Sequence, residues 1–381
     1  MARLGDICEK KIDTIKAAYK GDIDYVDISS IDNQRKIITQ IQSMSIEDAP
    51  SRAKQLVFPG DILVSTVRPN LNAVALITKN TDNALVASTG YCVLRCLPNA
   101  DNKYVFYFCQ SPTFIEKLVV QATGASYPAV TSAIVRECAL PLPPLEEQRK
   151  IAAVLDKVSD LMSKRRQQLD KLDELVKSRF VEMFGAYTET ARLSDVATIS
   201  GGLTKSTKRD KLPLRMPYLR VANVSFASID VSEMLSIGLT DEEYSKTLLQ
   251  RGDLLFVEGN GSPDQIGRVA IWENQVIPCV HQNHLIKSRF NKELVIPSFA
   301  MYYFMSSKGR EQIKGKAVST SGLYTLSVSK ISDLMLPTPP LDLQKQFAAF
   351  IAYINKLKLA VQKSLEKLEI LKKALMQEYF G

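Results

Sequence analysis

Several stretches of the 381-residue chain concentrate side chains able to hydrogen-bond to bases and phosphates. The first is Ser65-Thr66-Val67-Arg68-Pro69-Asn70-Leu71-Asn72, which joins two apolar runs. An arginine fork fits guanine N7 and O6, and an asparagine amide fits adenine N6 and N7. Ser65, Arg68, Asn70 and Asn72 are therefore expected at base edges. Residues 205–220 hold Lys205, Lys208, Arg209, Lys211, Arg215 and Arg220 against one acid, Asp210. Such a run suits phosphate contact, which positions a protein on DNA without reading sequence. Asn223 follows, where it could face a base. The loop 258–268 corresponds to the first stretch and offers Asn260, Ser262, Gln265 and Arg268. Two polar loops with an aromatic, at 124–127 and 319–324, add Ser126, Tyr127, Ser321 and Tyr324. His281 and Asn283 are expected at strand ends that touch DNA.

Other chemistry finds little support. Cys279, His281 and His284 lie close together, as do Cys92 and Cys96, but neither set supplies four ligands at zinc spacing, so no metal is expected. Gly259-Asn260-Gly261 lacks the third glycine of a dinucleotide loop. The run from Gly309 to Ala317 resembles a phosphate loop with one residue too many and Ala where Ser or Thr should bind magnesium. Pro263-Asp264 with Glu273-Asn274-Gln275 lacks the lysine of a nuclease carboxylate motif. The chain contains no Asn-Pro-Pro-Tyr motif and no Phe-x-Gly-x-Gly loop for a methyl donor. Neither a catalytic residue nor a cofactor is expected.

The elements that must carry these loops occur twice. Residues 141–185 and 337–381 align without a gap at an offset of 196, with 16 of 45 positions identical. The prolines 141, 143 and 144 hold extended backbone. Glu146 and Glu147 then oppose the positive end of a helix dipole. No Gly or Pro follows until Gly185, a natural stop. Apolar residues fall at heptad spacing: Ile151, Leu155, Val158, Met162, Leu169, Leu172 and Val176, then Phe347, Ile351, Ile354, Val361, Leu365, Leu368 and Leu375. The pattern predicts two long helices pairing as an antiparallel coiled coil with pseudo-twofold symmetry. Arg165, Lys358 and Lys372 interrupt the apolar seam. Gln148 and Gln344, shared by both blocks, are expected on the surfaces that pair or dock partners.

The segments before each block look α+β. Short β-branched runs such as 61–67 and 253–258 alternate with turns, and 103–119 and 298–314 read as helical. Gly60-Asp61-Ile62-Leu63 matches Gly252-Asp253-Leu254-Leu255, and Arg3-Leu4-Gly5-Asp6 matches Arg192-Leu193-Ser194-Asp195. Each domain should be a mixed, curved sheet with one or two helices. The expected order is a globular domain at 1–140, a helix at 141–185, a hinge at 186–192, a second globular domain at 193–336 and a second helix at 337–381. The formal net charge is +8, which favours a polyanionic partner. Six scattered cysteines, a charged N-terminus and the lack of a long apolar run point to a soluble, cytoplasmic protein with reduced thiols.

The Pro-Leu-Pro-Pro-Leu-Glu-Glu-Gln block before a long helix, repeated after β-rich domains, resembles the specificity subunits of type I restriction-modification systems. The resemblance implies two target-recognition domains, each reading one part of a bipartite sequence in double-stranded DNA. It implies paired helices that space the domains and dock two methyltransferase subunits, with restriction subunits (the ATP-dependent translocase and nuclease) joining that core. It also implies no catalytic site in this chain. Leu343 stands where the first block has Glu147, so the Glu-Gln pair is lost in the second. The rival reading is a free-standing DNA-binding regulator with two DNA-reading domains on a coiled coil.

Overall fold

The computed structural model describes residues 1–320 and 322–381. The chain divides into two compact units, Met1–Gln168 with Val361–Gly381, and Leu169–Ala360. Each unit therefore joins one globular domain to part of both long helices, so the boundaries fall inside the helices rather than between helix and domain.

In the first unit a four-stranded sheet runs in the order Gln42–Ser45, Asp22–Val26, Ala84–Ser88, Ala53–Leu56. Asp22–Val26 and Ala84–Ser88 are parallel. A three-stranded antiparallel sheet, Tyr91–Leu94, Ile62–Ser65, Val74–Leu76, carries the expected loop at its end. The second unit repeats this mixed character. Leu214–Leu219 lies parallel to Val280–His281 and antiparallel to Leu235–Leu239. Ala197–Ser200, Leu285–Phe290, Leu254–Val257 and Val269–Ile271 form an antiparallel sheet.

The helical stretches each break in two, at Asn102–Phe108 and Pro112–Gln121, and at Pro297–Met305 and Ser307–Lys316. Ser111 and Ser306 cause the breaks, because each hydroxyl caps the next helix. The first and last strands of each globule pair. Ala2–Arg3 joins Ala139–Leu140, and Thr190–Arg192 joins Met335–Pro337. The last three residues of the stretch expected as a hinge, Thr190–Arg192, are therefore strand, and Tyr187 packs on the core of the second unit. Pairing with the domain's last strand satisfies its backbone, which a hinge would leave to water.

The long helices are Leu145–Phe184 and Leu341–Phe380. In the second unit Phe184 lies 5.4 Å from Phe347, and Asp173 pairs with Lys358, so the two segments run antiparallel. In the first unit Arg165 donates to Ser364 Oγ (3.2 Å) and Arg166 to Glu369 (3.1 Å). Of the residues that interrupt the apolar seam, Arg165 and Lys358 thus find polar partners on the other helix. Leu155, Val158, Phe347, Ile351, Ile354 and Leu365 are buried, while Ile151, Leu169, Leu172 and Leu368 are half-buried. The helices also serve the domain cores. Phe380 packs 5.1 Å from Tyr104, and Phe184 packs 4.7 Å from Phe299.

Two repeated motifs acquire a structural reason. Gly60 and Gly252 adopt φ of +98° and +97°, a turn conformation that glycine enters without steric cost. The adjoining Asp61 and Asp253 are buried, and each accepts from the turn, from Phe58 N (2.9 Å) and Gln250 N (2.7 Å). Arg95 binds Asp61 through two nitrogens at 2.9 and 2.7 Å, and Arg289 binds Asp253 likewise at 2.7 and 2.7 Å. The carboxylates hold both guanidinium pKa values above the ordinary arginine range.

Gln148 and Gln344 correct an expectation. Both are buried, so neither is presented to a partner. Gln148 Oε1 accepts from Asp101 N (2.9 Å), and its Nε2 donates to Asn99 O (3.2 Å) and Pro143 O (2.8 Å). Gln344 repeats this with Ile296 N (2.9 Å), Leu294 O (3.1 Å) and Pro339 O (2.9 Å). Each glutamine fastens the start of its helix to its own globule. Among the described residues, no helix is long and apolar enough to cross a membrane.

Candidate nucleic-acid interface

In the first unit two loops far apart in sequence form one surface. Val67 pairs with Ala129 across an isolated antiparallel bridge, and Arg68 N donates to Pro128 O at 2.7 Å. This places Arg68, Asn70, Ser126 and Tyr127 together, all exposed. The Arg68 guanidinium stacks over the Tyr127 ring, 4.5 Å from its centroid. Ser65 and Asn72 correct the expectation, because both are buried within the loop. Ser65 Oγ donates to Val67 O (3.0 Å), and Asn72 Nδ2 donates to Cys109 O (2.9 Å). Lys36 Nζ donates to Asn72 O (2.5 Å) and Oδ1 (2.7 Å), a brace that nothing in the local sequence announced. A cavity of about 630 Å³ adjoins Lys36 and is lined also by Lys79, Lys103, Arg166 and Lys372 against Asp156 and Asp160. Burial, reinforced by neighbouring positive charge, brings Lys36 and Lys372 down to about 8.

In the second unit a run of backbone hydrogen bonds links the candidate segments. Leu203 N donates to His281 O (2.8 Å), Asn283 N to Leu203 O (3.0 Å), Glu258 N to His284 O (2.9 Å), and Leu326 N to Glu258 O (2.8 Å). Gly259–Asn260 pairs with Leu323–Thr325, which sets Asn260 opposite Tyr324. The edge so formed carries Asn260, Asn283, His284 and Tyr324, with Lys205 two residues beyond Leu203. Sequence reasoning had not singled out the pairing of His284 with Glu258, 2.7 Å apart on this edge. Lys205 and Lys208 are exposed. Ser321 lies outside the described residues.

Several expected readers are turned inward. Arg209 binds Glu243 at 2.9 and 2.7 Å and also donates to Thr204 O and Gly238 O, so it holds the fold. Its guanidinium is what holds the Glu243 carboxyl down at about 2. Arg220 donates to Glu233 O (3.3 Å). Asn223 is buried and donates to Asp230 O (2.9 Å) and Glu233 O (3.2 Å). Half-buried Arg268 donates to Gln265 Oε1 (3.3 Å) and Val221 O (3.5 Å), and Ser262 N donates to Asn260 Oδ1 (2.9 Å). Among the described residues, no group of three His, Cys, Asp or Glu is placed to hold a metal ion.

His281 is withdrawn as a DNA contact. It is wholly buried, with Nδ1 3.2 Å from Thr247 O. Burial, helped by Lys287 and Arg289, lowers its pKa to about 3. The unfolded chain protonates this ring near pH 6.5. Because the folded ring resists that proton, its contribution to stability is complete above about pH 6.5 and declines as pH falls. We expect a loss of about 2 kcal/mol between pH 7 and pH 5. Denaturant titrations of the second unit at both pH values, in the wild type and His281→Gln, would check this. Equal pH sensitivity in the two proteins would contradict it.

A family model described as the type I restriction modification DNA specificity domain matches residues 1–171 and 187–370. The EcoKI type I restriction enzyme specificity subunit of Escherichia coli strain K12 is 22% identical over 302 residues, 73% of this chain and 64% of that protein. The MjaIX specificity subunit of Methanocaldococcus jannaschii is 22% identical over 388 residues, 95% of this chain and 87% of that protein. MjaX of the same organism, described as a specificity subunit, is 29% identical over 194 residues, 50% of this chain and 45% of that protein. The chain thus spans about half to two-thirds of two of these relatives and most of the third. A solved structure titled for complex assembly and conformational transition of the type I R-M system aligns over 99% of this chain and 96% of its own, with 21% identity and a TM-score of 0.59. The S subunit of a type I system from M. genitalium aligns over 100% of this chain and 95% of its own, with 13% identity and a TM-score of 0.55. At such identities these two matches show a shared fold.

Proposed function

The chain belongs to the type I restriction-modification DNA specificity family, as a non-catalytic specificity subunit with DNA-recognition domains, and on that premise we propose that it reads a bipartite target in duplex DNA. Each globular domain reads one half, and the long helices dock methyltransferase subunits, which restriction subunits join. One observation carries the reading: the chain builds the same device twice. Each globule is closed by its own paired end strands, braced by the same Gly-Asp turn with its arginine, and fastened by a glutamine to a long helix. The loops that project from the two copies differ. Two alike scaffolds with unlike reading loops suit a target of two unlike halves.

The test is to express this chain with its methyltransferase partner and map modified bases on genomic DNA by single-molecule sequencing. A two-part motif with a fixed gap, lost when this chain is omitted, supports the reading. Modification that persists without this chain would refute it and leave the free-standing regulator.

The basic run supplies a quantitative prediction. Lys205 and Lys208 are exposed, whereas Arg209 serves the fold. Replacing both lysines by alanine should weaken binding to all DNA sequences alike and lower the slope of log K against log salt by about 2, at roughly 0.9 for each phosphate that is no longer neutralised. An unchanged slope would place this loop away from DNA.

A further inference from the structure

Arg68 occupies a conformation that its side chain disfavours. Its φ and ψ are 50° and 61°, in the left-handed region where a Cβ crowds the backbone. Asn72, at the other end of the same turn, has φ and ψ of 46° and 55°. Asparagine tolerates that region; arginine has no such excuse. Strain of this kind persists only where the surroundings over-determine it. They do so here. Pro69 is buried, Lys36 Nζ grips Asn72 at two oxygens, Asn72 Nδ2 holds Cys109 O, and Pro128 O holds the Arg68 N–H.

All this fixes the backbone, yet the side chain gains little inside the protein. The Arg68 guanidinium makes no hydrogen bond or ion pair with any described residue. Its one partner is the ring of Tyr127, itself 68% exposed. Other arginines of this chain behave differently: Arg95, Arg209 and Arg289 each grip a carboxylate with two nitrogens. Arg68 is a fork of five donors placed over an aromatic ring and left without an acceptor among the described residues.

We propose that Arg68 reads a guanine in one half of the target, with Tyr127 as the positioning residue that holds the guanidinium plane. The proposal rests on the DNA-reading role above and names the base. A phosphate accepts the arginine fork as well, but a flexible lysine ammonium serves it as a point of charge, so a phosphate contact requires neither the strained backbone nor the ring beneath the guanidinium. A guanidinium of fixed orientation matches two acceptors side by side. In the major groove guanine offers N7 and O6, whereas adenine sets a donor beside its N7.

The test uses the full chain with duplexes of its mapped target, each base pair of both halves varied in turn, at two salt concentrations. Wild-type protein is expected to prefer guanine at one position by about 10- to 100-fold. Arg68→Gly should bring that preference close to parity, leave every other position unchanged, and melt at the same or a higher temperature, because glycine takes the backbone conformation without strain. Tyr127→Leu should reduce the same preference severalfold, and Tyr127→Phe should retain it. Uniform weakening in Arg68→Gly, with the salt slope reduced by about 1, would make Arg68 a phosphate contact and overturn the proposal. An intact preference at every position would also overturn it. Wild-type binding with no sequence preference would instead refute the DNA-reading role on which it rests.

Discussion

Arg95→Leu is expected to destabilise the first unit by about 3 kcal/mol, near the lower end of the range for removing one partner of a buried ion pair. Asp61 is the reason. The residue is 1% exposed, and its carboxylate is held by Arg95 and by the Phe58 N–H. Without the guanidinium it keeps its charge in a poor solvent or gives it up and loses its hydrogen bonds. Arg95 also donates to Leu56 O and stacks on Phe58, so the turn that starts the central strand Ile62–Ser65 would loosen. Arg95→Lys should rescue little, because an ammonium cannot supply the two parallel bonds. The double variant Asp61→Leu/Arg95→Leu should recover a large part of the loss. Hydrogen exchange across residues 58–65 and 91–96 would localise the effect to this unit. Full stability in Arg95→Leu would show the pair to be decoration.

The second large effect is a change of target. Exchanging residues 190–337 for the corresponding segment of another specificity subunit should replace one half of the methylated motif and leave the other half as it was. The fold dictates the cut points. Thr190–Arg192 pairs with Met335–Pro337, so the segment must carry both strands or neither. Cutting at 193 and 336 would take Leu336 from a ladder whose partner, Ala191, stays behind. Mapping modified bases in cells that carry the hybrid decides the matter. A motif altered in both halves would mean that the domains do not read independently.

Much of this architecture is legible in the amino-acid order itself. The 45-residue block written twice announces two helices and two domains, because proline placement, heptad spacing and an ungapped repeat are all local signals. The Gly-Asp turns are visible as motifs. Their purpose is not, since Arg95 and Arg289 stand 34 and 36 residues further on. The reading surface is the least legible part. Residue type says what a loop side chain can bond and nothing about which way it points. Asn72 turns inward to meet Cys109 O, 37 residues away, and Arg209 turns to meet Glu243, 34 residues away. His281 has the chemistry of a contact and the position of a core residue. The stack of Arg68 on Tyr127 joins loops that sequence could only describe separately.

The glutamine joints have a consequence for experiment. At Gln148 and Gln344 a neutral amide supplies two donors and one acceptor to backbone groups, and all six bonds lie between uncharged partners. No proton is taken up or released there, and no counterion is attracted. Each globule is thus clamped to the head of its helix by a fastening deaf to ionic strength. Glutamate would keep the length and lose the donors, setting a negative charge against two carbonyl oxygens. Because these joints do not loosen as salt rises, a fall in DNA affinity across a salt series owes no share to the glutamine joints coming undone.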